Sequence, residues 1–275
     1  MKRHVFFDGA LLNGTLFNPG QSRLFVSFRQ RIGDPGNFEK ARAVHRYAAN
    51  GFTHLHLQSR WNDWYVNAET PALERALEAF SAQFESVCAM GFSMGGYAAL
   101  RLAGPLRLCH LLAISPQYSI AKVHVPFDRR YRAEARGWDA EAGDLACRGT
   151  DVRGAVLIDP FRPLDLANAE LIAAAFPNLT VVRLPCGGHP ATRALRQGGK
   201  LGWLQDQLAQ GVPDPRAIGR SHRAVRRDSE SYWRHLQALA KHRGRSTLAE
   251  TARKQARRIA AKSAGAGLDG GAAEP

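Results

Sequence analysis

Short apolar runs alternate with stretches of helical spacing from residue 23 to about residue 210. "RLFVSF" (23–28), "THLHLQ" (53–58), "SVCAMGF" (86–92), "LCHLLAIS" (108–115), "GAVLID" (154–159) and "LTVVRLP" (179–185) read as strands. Between them, "ETPALERALEAFSAQF", "MGGYAALRLAG", "LDLANAELIAAAF" and "KLGWLQDQLAQ" read as helices, the first with Pro71 in its opening turn. "NFEKARAVHRYAAN" (37–50) also has helical spacing, with Asn37 placed to cap it and Asn50-Gly51 placed to stop it. Strands this apolar are covered on both faces, and their alternation with helices predicts a doubly wound, mostly parallel sheet of the α/β class. Residues 4–20, with "FFDG" and "LLNGTLF", predict a hairpin or edge strands on that sheet. Residues 116–152 are irregular, charged and aromatic, and form either a lid or a long connection.

The apolar pattern weakens after Gly211, where "VPDP" marks a boundary between a domain spanning 1–212 and a helical extension spanning 213–264. In the extension, "SESYWRHLQALAKHR" places Trp233, Leu236 and Ala240 on one helix face, and "TLAETARKQARRIAAK" predicts a second, basic helix. Residues 265–275, "AGLDGGAAEP" and its preceding glycine, are expected to be disordered. Charge follows the same division. Residues 213–275 hold 14 Lys/Arg against 6 Asp/Glu, while the whole chain carries +14, so the extension supplies +8 of the net charge in 63 residues. Such a tail is a candidate contact for a polyanion. The opening "MKRHVFFDGALLNG" has too brief an apolar run for a secretory signal, and no stretch approaches a membrane span. Cysteines at 88, 109, 147 and 186 form no C-x-x-C pair, which predicts a reducing, cytoplasmic setting with no metal framework and no cofactor.

The chemistry centres on "AMGFSMGGYAAL" (89–100). Gly91-Phe92-Ser93-Met94-Gly95 sets a serine in a sharp strand-to-helix turn, where only small neighbours fit and helix N–H groups favour negative charge. A serine nucleophile needs a base and an acid, and in an open parallel sheet these lie just past the carboxyl ends of strands. His189, in "LPCGGHP", follows the last strand; Asp159 ends the strand before it, and Asp165 lies six residues further on. The remaining strand and helix histidines, 45, 54, 56 and 110, read as structural or exposed.

With the G-F-S-M-G elbow, an acid after the next-to-last strand and Gly-His after the last, residues 20 to 210 resemble the α/β-hydrolase family. The resemblance implies Ser93 as nucleophile, His189 as general base and an aspartate holding its tautomer. Asp165 is favoured for that last role because it lies on a loop that can lean toward His189; Asp159 is the alternative, being placed to tie backbone before Pro160. It also implies an oxyanion hole made by the N–H of Met94 and that of Phe28 or Arg29, where family members often have His-Gly. "QSRWNDWYVN" (58–67) ends a strand on the same rim, which makes Arg60, Trp61, Asn62, Trp64 and Tyr65 candidate substrate contacts. Arg29, Arg31 and Arg60 together predict a cationic mouth and a small acyl, anionic or sugar-bearing substrate. The expected activity is serine hydrolysis of an ester or thioester, with an acyltransferase indistinguishable at this level. The alternative is a non-catalytic binding module that docks a polyanionic partner through its tail.

Overall fold

The computed structural model describes residues 1–148 and 151–268. Eight strands form one sheet: β1 (Arg3–Asp8), β2 (Leu12–Phe17), β3 (Arg23–Phe28), β4 (Phe52–Ser59), β5 (Ser86–Phe92), β6 (His110–Ile114), β7 (Arg153–Ile158) and β8 (Leu179–Arg183). Their spatial order is β1-β2-β4-β3-β5-β6-β7-β8. The hairpin β1–β2 joins antiparallel to β4, and every pairing from β4 to β8 is parallel. The chain runs outward from β3 to β4, then crosses back to β5 and proceeds the other way. That reversal puts the carboxyl ends of β3 and β5 at the switch point where such sheets bind ligands.

Helices α2 (Thr70–Ser81), α3 (Met94–Arg101), α4 (Pro163–Ala175) and α6 (Leu201–Ala209) fall where the pattern puts them, and a short α5 (Arg193–Gln197) precedes α6. Alternation along β5 divides the core between the two faces. Val87 and Ala89 join one cluster with Leu24, Val26 and Leu111, while Cys88 and Met90 join another with Phe25, Leu112 and Leu157.

Two expected elements differ. Residues 37–44 are irregular, and only α1 (His45–Ala49) is helical in the expected 37–50 stretch. The backbone there is claimed by strand side chains: Gln58 bonds both the N–H and the C=O of Glu39, at 3.0 and 2.9 Å, and Arg29 donates to Asn37 O at 2.7 Å. These bonds replace the helical ones. Past the expected boundary, α7 (Pro215–Val225) starts on an Asp214 cap that accepts from Arg216 N–H, and Ile218 of α7 is buried in the second core cluster. Helices α8 (Glu230–His242) and α9 (Ser246–Leu268) follow. The tail expected to be disordered lies outside the described residues from 269 onward, and its first four positions continue α9. Among the described residues no helix is long and apolar enough to cross a membrane.

Candidate active site

Ser93 sits between β5 and α3 at φ 50, ψ −118, a left-handed backbone that a serine adopts only when its surroundings force it. The forcing contacts are visible at two glycines. A Cβ on Gly91 would lie 2.1 Å from Gly95 O, and one on Gly95 would lie 3.0–3.1 Å from Phe28 Cβ and the carbonyls of Phe28 and Arg29. The Ser93 N–H is anchored to Ile114 O of β6 at 2.8 Å, which leaves the hydroxyl at the strand ends.

Ser93 Oγ lies 3.0 Å from His189 Nε2, and His189 Nδ1 lies 2.9 Å from Asp165 Oδ2. Asp165 is in the first turn of α4 and is wholly buried. Burial pushes its carboxyl pKa up, but the hydrogen bond and charge of His189 and the guanidinium of Arg130, 2.5 Å from Oδ1, hold it below the usual carboxylate value. Arg130 also grips Asp128 at 2.7 Å, and Asp128 accepts from Asn168 of α4 at 3.0 Å. The two candidate acids therefore have different places. Asp159 does not reach the imidazole; it accepts the N–H groups of Phe161, Cys186 and Gly188 at 3.0, 3.1 and 2.9 Å, which shapes the loop that carries His189.

The expected oxyanion donors are only partly placed for that task. The Arg29 N–H donates to Leu57 O at 2.9 Å and so belongs to the sheet, and Phe28 is the last residue of β3, in register with Leu57. The next peptide differs. Its carbonyl, Arg29 O, accepts from Tyr65 Oη at 3.0 Å, while the Gln30 N–H on the opposite side of the same peptide has no hydrogen-bond partner among the described residues. Met94 opens α3, where the first N–H groups of a helix lack intrahelical acceptors.

The aromatic stretch divides in the same way. Arg60 donates to Gly36 O at 2.6 Å, Asn62 bonds both backbone groups of Ile32, and Tyr65 donates to Arg29 O and Leu57 O, so all three hold backbone. Trp61 is exposed beside Gly36. Trp64 alone connects to the nucleophile: its Nε1 donates to Gln117 Oε1 at 2.9 Å, and Gln117 Nε2 lies 3.5 Å from Ser93 Oγ. Gln117, Arg130 and Tyr131 come from the 116–152 insertion and were not singled out by pattern. The signal for Gln117 was its place two residues past Ser115, at the carboxyl end of β6 beside β5.

The extension meets this site from behind. His222 of α7 lies with Nε2 3.1 Å from Pro185 O, and the His235 ring of α8 fills the space beside Gly188, where a Cβ would come within 2.4 Å of it. Burial lowers the pKa of both imidazoles.

No protein-family model and no curated protein sequence matches the chain. Solved structures do. An arylesterase superposes with TM-score 0.51 at 12% identity, covering 76% of this chain and 83% of that one. A putative thioesterase from Silicibacter gives TM-score 0.49 at 17% identity over 69% and 78% of the two chains. A capsule O-acetyltransferase of Neisseria meningitidis serogroup A gives 0.48 at 12% over 79% and 91%. With the strand order and the arylesterase superposition together, the fold is that of an α/β-hydrolase.

Proposed function

We propose that the chain is a serine esterase or acyltransferase working through an acyl-enzyme on Ser93. The observation that carries this reading is the unbroken hydrogen-bonded series from Ser93 Oγ through His189 to a buried, ionised Asp165, set at a strained turn. In this reading His189 Nε2 takes the Ser93 proton as Oγ attacks a carbonyl carbon, and the carbonyl electron pair moves onto oxygen. The N–H groups of Met94 and Gln30 receive that oxyanion, in place of the Phe28 or Arg29 donor that the family resemblance implies. Collapse expels the leaving group, which takes the proton from His189. Water or an alcohol then repeats the sequence on the acyl-serine. Asp165 keeps Nδ1–H pointing away from Ser93 and stabilises the imidazolium.

Two features support the assignment of the acid. Asp165 is ionised and within bonding reach of the imidazole, whereas Asp159 is engaged by three backbone donors and bonds no imidazole. The expected outcome is that Ser93→Ala removes turnover of a chromogenic acetate ester while leaving the circular dichroism unchanged. Undiminished turnover in that folded variant would rule the reading out.

A further inference from the structure

The cationic mouth expected from Arg29, Arg31 and Arg60 does not form, because all three turn to other partners. Arg29 lies on Asn37 O and Ser59 O at 2.7 and 3.2 Å, Arg31 pairs with Glu134 at 2.7 Å, and Arg60 holds Gly36 O. Positive charge reaches the reaction centre from elsewhere. A cavity of about 280 Å³ is lined by Gln30, Phe92, Pro190, Thr192, Arg193 and Arg196. Phe92 immediately precedes the nucleophile and Pro190 immediately follows His189, so two of the lining residues are chain neighbours of the proposed catalytic pair. Gln30, whose N–H is the proposed oxyanion donor, forms part of its wall.

Arg193 and Arg196 are three residues apart on α5, which puts them on one side of the helix. Both are exposed, and neither has a carboxylate partner among the described residues. The Arg196 guanidinium lies 5.9 Å from the centre of the Phe92 ring. Among the described residues no acidic side chain lines the cavity. Two unpaired guanidinium groups on one small cavity make a receptor for a carboxylate or phosphate, which they grip through paired N–H donors.

We propose that this site acts on substrates carrying an acidic group, and that Arg193 and Arg196 bind that group while Ser93 attacks the acyl carbon. The proposal rests on the acyl-enzyme reading and adds the substrate class. The acidic group has two possible sources with one shared chemistry, a carboxylate on the acyl chain or a phosphate on the carrier. Two matched pairs of probes separate them: the para-nitrophenyl monoester of succinate against para-nitrophenyl butyrate, and acetyl-CoA against acetylpantetheine.

The measurement is kcat/KM for each probe with the wild-type protein and with Arg193→Gln/Arg196→Gln. The wild type should favour the acidic member of at least one pair by about tenfold or more, and the double variant should lose that preference by a similar factor, the scale of a charge-assisted contact. Preference in the succinate pair assigns the acyl side, and preference in the CoA pair assigns the carrier. Wild-type protein that treats both members of each pair equally, or turns over none, overturns the proposal, as does a preference that survives the double substitution. A neutral fluorophosphonate run alongside separates the two levels. If it labels Ser93 while no acidic preference exists, the substrate class alone is wrong; if it fails to label, the nucleophile reading falls as well.

Discussion

Replacing Arg130 by Gln removes the one cation that, among the described residues, joins the insertion to the candidate acid. Arg130 makes an ion pair with Asp165 at 2.5 Å and with Asp128 at 2.7 Å, and the side chains of those carboxylates are 0% and 2% exposed. Stripping a partner from a buried ion pair costs about 3–5 kcal/mol. Arg130 itself is 21% exposed, so part of its field is already screened. Asp165 keeps His189, and Asp128 keeps Asn168 and the backbone N–H of residue 130. The net loss should therefore be about 2–3 kcal/mol of unfolding free energy at pH 7. Urea titration of both proteins measures it. Both carboxylates have folded pKa values below the ordinary range, with burial opposing and Arg130 favouring ionisation. Stability from a depressed carboxylate is present above its unfolded pKa, about 3.9, and is lost as pH falls through the folded value. The difference between the two proteins should thus narrow below pH 4. Adding Asp128→Asn should recover part of the loss, because it removes the carboxylate left without a cation. A difference under about 1 kcal/mol at pH 7, or one that does not narrow in acid, would refute the role given to Arg130.

Three further outcomes follow from groups outside the reaction path. His54 and His56 share the Ser27 hydroxyl at 2.8 and 2.9 Å, and burial lowers their pKa values to about 3 and about 4. The unfolded imidazoles protonate near 6.5 while the folded ones do not, so stability falls as pH drops from about 7 toward 4. At pH 5 each contributes a loss of about 2 kcal/mol, seen as a lower urea midpoint than at pH 8; an unchanged midpoint would contradict it. Removing residues 213–275 strips Ile218 from the core and His222 and His235 from the His189 loop, so turnover should fall; unchanged turnover would show that the extension does not brace the site. Gly188→Ala tests the same contact in the full chain: with φ 80 and a Cβ 2.4 Å from the His235 ring, it should slow turnover more than it lowers the urea midpoint.

The elbow was legible because its demands are local: Gly91 and Gly95 must lack side chains for Ser93 to take its backbone angles. The parallel sheet was legible because β5 to β7 are buried along most of their length and so carry few polar residues, although the edge strand β8 exposes Thr180 and Arg183. What could not be read depends on long-range bonds. The helix expected at 37–50 fails because Gln58, 19 residues from Glu39, and Arg29, 8 residues from Asn37, take its backbone groups from strand ends outside the stretch. Arg60 and Tyr65 have the composition of ligand contacts, yet their polar atoms meet carbonyls 24 and 36 residues away. The irregular insertion hid Gln117, Arg130 and Tyr131, since nothing periodic marks which of its side chains turn inward. Helix α7 was marked by Asp214-Pro215, a cap followed by proline at the first helical position, but "VPDP" reads equally as a linker.

The central claim is that the Ser93 oxygen is a nucleophile activated by His189. Its most direct test is to treat the protein with a fluorophosphonate, digest it and locate the adduct by mass spectrometry. One adduct should appear, on the peptide containing Ser93, with none in folded Ser93→Ala and a much slower reaction in His189→Ala. An adduct on another residue, or labelling that persists when Ser93 is alanine, would contradict the account.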